Sequence, residues 1–371
     1  MPPYVPDYIA SLTPYPPGKP IEEVEREYGI SGSIKLASNE NPLGPSPKAV
    51  AAITAHLSQI NRYPDSGGYY LRRRISEKFS LPFDGIVLGN GSDEIIELLT
   101  RAFLREGEEA VMSDPSFLCY RIAVQARGAK PVRVPLRDFQ IDLKAMARAA
   151  GEKTRLVFLT NPNNPTGRAF SKKEFEEFLG LLPSHVLVAL DEAYIEFATS
   201  PDIPRGFDYV GERAPGLVVL RTFSKAYGLA GLRIGYGVMH PTLADYLHRL
   251  RSPFNTGNLP QIGALAALDD DAFLAQTLDI TRQGLEFLFA EMKRLDLPTV
   301  PTESNFFLLR TPVPGRMVFE KLLERGVIVR AMDSYGLPGY IRVNVGLPEE
   351  NARFVEALAG VVEGLRASGD I

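Results

Sequence analysis

The chain has 371 residues, 45% of them apolar and 23% charged, with a net charge of −4; that length allows two or three domains and at least one large core. The slightly acidic balance excludes the strongly basic face that nucleic acid or an acidic membrane recruits, so neither is an expected partner. The single cysteine, Cys119, excludes an internal disulfide, and no apolar leader or run of ~18–20 apolar residues is present, so the expected compartment is the cytoplasm.

The first twenty residues are proline-rich and favour an extended arm, or else a disordered tail. A helix is expected over 46–58, a turn-rich link over 62–68 ("RYPDSGG") and a helix with basic turns over 69–79. Short apolar runs follow at 86–88, 110–112, 131–134, 156–159, 186–190, 217–220 and 234–238. They are apolar on both faces and separated by helix-length segments, the pattern of a mostly parallel seven-stranded sheet covered by helices. A long helical stretch then runs from Pro260 to about Leu295. A smaller alternation closes the chain: strand 305–310, helix 316–325, strand 327–330, strand 340–345 and helix 349–367. The expected fold class is α/β. An N-terminal arm with part of a smaller domain spans 1–45, a large domain 46–259 and a small α+β domain 260–371.

Parallel α/β sheets bind ligands at the carboxyl ends of their strands. After the run at 86–88 comes "GNGSDEIIELL", a helix start whose free amides suit an anion, or simply a capped helix. After 156–159 comes "TNPNNPTG", a fixed turn whose asparagines can reach a site, or a turn and nothing more. After 186–190 comes "DEAYIEF", where Asp191 ends a buried run and needs a cation. After 217–220 comes "SKAYGLAGLRIGYG", with Lys225 eight residues before Arg233. The dispersed His56, His185, His240 and His248 offer no metal-ligand spacing. "GNGSDE" lacks the third glycine of a dinucleotide fingerprint, and "PPGKP" has proline where a phosphate loop needs Ser or Thr. One chemistry uses these parts together: a lysine for an aldehyde, a carboxylate for a ring nitrogen, a phenol and an amide for a ring oxygen, and Arg with a helix N-terminus for a phosphate. That set describes a site for pyridoxal 5'-phosphate.

At these motifs the chain resembles the fold-type-I aspartate aminotransferase family of pyridoxal-phosphate enzymes, over nearly its whole length. Within that family "LTPYPPGKPIEEVEREYG", "KLASNENPLGPSP", "RYPDSGGYYLRRRIS", "LTNPNNPTG", "DEAYIEF" and "SKAYGLAGLRIGYG" look like the histidinol-phosphate aminotransferase group. The resemblance implies that Lys225 holds the cofactor covalently, Asp191 pairs with its ring nitrogen, and Tyr194 and Asn164 hydrogen-bond its ring oxygen. It implies that Phe117 stacks on the ring, where the family often has tyrosine. The cofactor phosphate would lie against Gly91, Ser92 and Asp93, on Arg233, and on Ser224 or Thr222. Tyr63 would reach the phosphate of a partner subunit in a homodimer. Tyr15, Asn41, Arg330 and Arg342 would meet the substrate; a surface salt bridge is the plainer role for either arginine.

The implied reaction is a ping-pong transamination between histidinol phosphate and 2-oxoglutarate, giving glutamate. An aromatic or broad-specificity aminotransferase and an O-phosphoamino-acid decarboxylase are the alternatives on the same scaffold. A transcription regulator carrying such a domain would need a DNA-binding domain before it, and the Pro-rich residues that precede 46 do not read as one.

Overall fold

The computed structural model describes residues 4–369. Its strands in chain order are β1 (Ile34–Lys35), β2 (Ile86–Gly89), β3 (Glu109–Asp114), β4 (Lys130–Pro135), β5 (Thr154–Thr160) and β6 (Leu187–Asp191), then β7 (Leu217–Thr222), β8 (Gly235–Val238), β9 (Phe306–Arg310), β10 (Val327–Ile328), β11 (Arg330–Ala331) and β12 (Tyr340–Asn344). Seven of them form one sheet in the order β2-β8-β7-β6-β5-β3-β4. From β7 to β4 every neighbouring pair is parallel. β8 alone is reversed, antiparallel to both β2 and β7. The reason is the link before it: the chain from Thr222 to Gly235 forms only the 3-10 turn Ala230–Leu232. A parallel neighbour would need a crossover, usually an α-helix.

The period of two along each strand divides the core. On β7, Val218 and Leu220 join Ile95, Leu99 and Phe158 on one face, while Leu217 and Val219 join Phe175 and Phe178 on the other. Each fully buried aliphatic side chain contributes ~1.5–3 kcal/mol. Burial on both faces therefore holds the sheet, and with it the carboxyl ends of β5, β6 and β7. Beyond this sheet, β11-β12-β9 form a three-stranded antiparallel sheet. It packs with helices Gly315–Leu323 and Pro348–Ser368 around Phe307, Leu309, Val343, Phe354 and Leu358.

Three local expectations change. The stretch 327–330 is not one strand: β10 pairs in parallel with β1, and β11 pairs antiparallel with β12. The expected helix from Pro260 to Leu295 is two, Asn258–Leu268 and Asp271–Arg294, parted where the Asp270 carboxylate accepts from Ser46 Oγ at 2.6 Å. The N-terminal arm is extended only in part, since short helices Asp7–Ala10 and Ile21–Tyr28 flank its irregular middle. Among the described residues no helix is long and apolar enough to cross a membrane.

Candidate active site

A solvent-open cleft of ≈ 790 Å³ lies at the carboxyl ends of β5, β6 and β7, where Thr160, Asp191 and Thr222 end their strands.

Asp191, only 4% exposed, is the last residue of β6. Its Oδ2 accepts from the Tyr120 hydroxyl at 2.6 Å and its Oδ1 from the Ala193 amide at 3.0 Å. Burial pushes the carboxyl up to about 6 despite those two donors. No ion pair reaches it among the described residues, so a cation entering the cleft would relieve the cost of burying its charge.

Lys225 follows β7 in the loop that reverses the chain. Its half-buried Nζ donates to the Ser38 carbonyl at 3.0 Å and lies 5.7 Å from the Tyr194 ring centroid. Burial, then the charge of Arg342, brings the amine down to about 8. At pH 7 about a tenth of it is therefore neutral and nucleophilic, against about three in ten thousand for an ordinary lysine. The Tyr194 hydroxyl is buried, with its titration raised by that burial, and accepts from Asn39 Nδ2 at 3.0 Å.

The helix Gly91–Phe103 points its N-terminus into the same cleft with no side-chain cap. The Gly91 amide donates to the Arg233 carbonyl at 3.0 Å. The amides of Ser92 and Asp93 are left with no acceptor inside the helix. Arg233 Nη1 donates to Ser224 Oγ at 3.4 Å and Nη2 to Asp93 Oδ2 at 3.3 Å. Thr222 Oγ1 accepts from the Ser224 amide at 3.1 Å. Gly91 is required here: its φ is +72°, and a Cβ would stand 2.6 Å from Arg233 Nη2. Free amides, hydroxyls and a guanidinium in one nest fit a phosphate. The Asp93 carboxylate, which meets Arg233 now, would share that guanidinium.

Opposite lie the other cations. Arg342, 6% exposed on β12, donates to Asn164 Oδ1 at 2.6 Å and to the Ala37 carbonyl at 2.7 Å, and its buried Nε has no partner among the described residues. Arg330 on β11 donates to the Pro16 carbonyl and lies 5.8 Å from the centroid of Tyr15. The Tyr15 ring packs edge-on against Phe117 at 6.4 Å, so the N-terminal arm roofs the cleft.

Two residues singled out from the sequence lie elsewhere. Asn41 is outside the cleft, with its amide spent on the Ala226 carbonyl and Thr277 Oγ1, each at 3.0 Å. Tyr63 is 82% exposed and stacks on Phe254 at 4.6 Å, away from this chain's own cleft. Conversely, sequence reasoning missed Ser38, Asn39, Tyr120 and Thr160. Tyr120 had a signal: it stands one helical turn beyond Phe117, where a side chain shares that face. Asn39 had only its place in "SNENP".

Residues 31–358 match the model of a family described as aminotransferase class I and II. Histidinol-phosphate aminotransferase 2 of Carboxydothermus hydrogenoformans is 48% identical over 356 residues, 96% of this chain and 98% of that protein. Histidinol-phosphate aminotransferase of Desulfotalea psychrophila is 46% identical over 97% of this chain and 96% of its own. Among solved structures, histidinol-phosphate aminotransferase from Sinorhizobium meliloti, in complex with pyridoxal-5'-phosphate, superposes with a TM-score of 0.89 at 27% identity, covering 98% of each chain. Matched over that span, the chain belongs to the class I and II aminotransferase family.

Proposed function

We propose that this chain is a histidinol-phosphate aminotransferase, moving an amino group between L-histidinol phosphate and 2-oxoglutarate with bound pyridoxal 5'-phosphate. One observation carries the reading: an amine brought down to about 8 shares a cleft with a buried carboxylate that lacks a cation, between two separate guanidinium stations. The name shared by relatives 44–48% identical over nearly the whole chain supports the substrate.

When bound, the cofactor supplies an electron sink for charge released at the substrate carbon. The chain's residues do the rest. Lys225 would hold the cofactor through its amine and, when released, would serve as the acid–base group beside the reacting carbon. Asp191 would meet the ring nitrogen and favour its protonated form, Tyr194 and Asn164 would hydrogen-bond the ring oxygen, and Phe117 would cover one ring face. The amides of Ser92 and Asp93, with Thr222, Ser224 and Arg233, would take the phosphate, and Gly91 leaves the room in which the Arg233 guanidinium lies. Arg342 and Arg330 bind the anionic end of either substrate, since bidentate guanidinium geometry suits carboxylate and phosphate alike. Tyr15, on the arm beside the cleft, would close over the bound substrate. Asn41, bonded to the Ala226 carbonyl, steadies the loop beside Lys225 and does not touch substrate.

The reading includes a homodimer in which Tyr63 reaches the partner subunit's cofactor phosphate. Supporting it, Tyr63 stands on a surface where Leu57, Ile60 and Phe254 are also exposed. The free cysteine, Cys119, fits a reducing compartment, the cytoplasm.

The test is a half-reaction screen that follows bleaching of the visible chromophore. Histidinol phosphate and glutamate should bleach it rapidly, and phenylalanine and tyrosine slowly. Equal rates with the aromatic amino acids would make the chain a broad-specificity aminotransferase, and carbon dioxide released from O-phosphothreonine would make it a decarboxylase.

A further inference from the structure

We propose that Asn39 is a positioning residue that sets the polarity of the Tyr194 hydroxyl, holding it as an acceptor toward the protein and hence as a donor toward the cleft. The inference rests on the functional reading above and goes beyond it, because it assigns a part to a residue outside that set.

A phenol oxygen carries one proton and accepts through its lone pairs, whereas an amide NH₂ can only donate. Asn39 Nδ2 lies 3.0 Å from the Tyr194 oxygen. Tyr194 must therefore accept there, and its own proton has to point elsewhere. Both residues line the cleft, and no other hydrogen bond to that hydroxyl is present among the described residues. Accepting from Asn39 also polarises the O–H, which strengthens the bond it donates.

Asn39 is built for this task. It is 1% exposed, and its backbone is anchored from two distant segments. Its amide donates to Asn344 Oδ1 at 3.0 Å, and its carbonyl accepts from Asn305 Nδ2 at 3.2 Å. Its φ is +55°, a left-handed conformation that asparagine tolerates better than most residues. The preceding carbonyl, of Ser38, accepts from Lys225 Nζ. Two adjacent residues thus hold both the amine and the phenol of the site. The opposite amide orientation would present Oδ1 to Tyr194 and turn the phenol proton out of the cleft; in the orientation seen, Nδ2 faces the phenol and Asn39 Oδ1 has no partner among the described residues.

The two polarities give opposite signs in one measurement. Tyr194 is replaced by a fluorotyrosine, which brings its titration into an accessible range, and its midpoint is read by fluorine NMR in cofactor-free protein. The surrounding charges, Arg342, Asp191, Tyr335 and Lys225, are the same in every variant. Asn39→Gly suits the left-handed backbone and removes only the amide. If Asn39 donates, the phenolate loses a donor and the midpoint rises by about one pH unit, the order of a single hydrogen bond to a charged group. If Asn39 accepts, the neutral phenol loses its acceptor and the midpoint falls; a fall or no change overturns the proposal. Asn39→Ala removes the same amide at some backbone strain and should shift with the same sign. In the loaded enzyme, Asn39→Gly should also raise the pH midpoint of the visible chromophore, and should leave it unmoved in a Tyr194→Phe background. A shift that persists in that background overturns the route through Tyr194. A wild-type chain that forms no chromophore overturns the functional reading instead, while the cofactor-free titration still decides the polarity at Asn39.

Discussion

The lowered titration of Lys225 predicts how the cofactor loads. Only the neutral amine attacks an aldehyde, so loading of the cofactor-free chain should accelerate with pH and level off above about 8. Stopped-flow growth of visible absorbance at several pH values checks this; a rate still climbing steeply at pH 10 would mean an ordinary lysine. Borohydride reduction should fix the cofactor on the peptide carrying Lys225, and Lys225→Ala should retain cofactor through the phosphate contacts but lose turnover. Asp191 predicts a trade between stability and activity. Its folded value, about 6, stands above the ordinary 3.8, so its contribution to stability is full below 3.8 and is lost as pH rises through 6. At pH 7 the buried charge opposes folding. Cofactor-free Asp191→Asn should therefore be the more stable protein by ~1–3 kcal/mol at pH 7, with the gap closing toward pH 4. Urea unfolding at both pH values measures it. In the loaded enzyme the same variant should lose ~3–5 kcal/mol of activation free energy, because a neutral amide cannot hold the ring nitrogen protonated.

The helix Gly91–Phe103 shows how much an element depends on one position in it. Arg233 lies against its first turn, and a Cβ at Gly91 would stand 2.6 Å from its Nη2, so the guanidinium would have to shift. Gly91→Ala should cost about 1–2 kcal/mol in backbone strain alone, and it should also displace Arg233 from the nest. Cofactor affinity is expected to fall at least about tenfold, the equivalent of one lost charge-assisted hydrogen bond, while far-UV dichroism stays unchanged. Fluorescence titration of the cofactor reads the outcome, and wild-type affinity would remove Arg233 from the phosphate site. Elements of the main sheet were legible because runs such as 217–220 are apolar on both faces. The division of 327–330 between β10 and β11 was not, since β10's partner, Ile34–Lys35, is a two-residue strand almost three hundred positions away.

At the scale of the molecule, the proposed dimer can be tested at the exposed Tyr63. If it serves the partner's site, mixing Lys225→Ala with Tyr63→Ala chains and allowing exchange should restore one of two sites, at most about half activity per mixed dimer. If Tyr63 acts within its own chain, no mixed dimer holds an intact site and activity stays absent. Tyr63→Ala alone should first be impaired by about tenfold or more, as expected for the loss of a hydrogen bond to a charged group worth ~1.5–3 kcal/mol.

By itself the sequence indicated the α/β class, the seven runs that form the main sheet, and the chemical set of Asp191, Tyr194, Lys225 and Arg233, which line one cleft. These follow from local periodicity and from motifs at strand ends, which are properties of short stretches. Only the tertiary structure decided which further residues join them. Asn39 reaches Tyr194 because Asn305 and Asn344 hold its backbone, and Tyr120 meets Asp191 from a neighbouring helix. Asn41, two residues from Asn39, is turned away onto Thr277. The titrations of Lys225 and Asp191 also belong to the fold, since burial is the largest cause of both shifts. Burial is set by everything packed around a side chain, and no local pattern of residues specifies it.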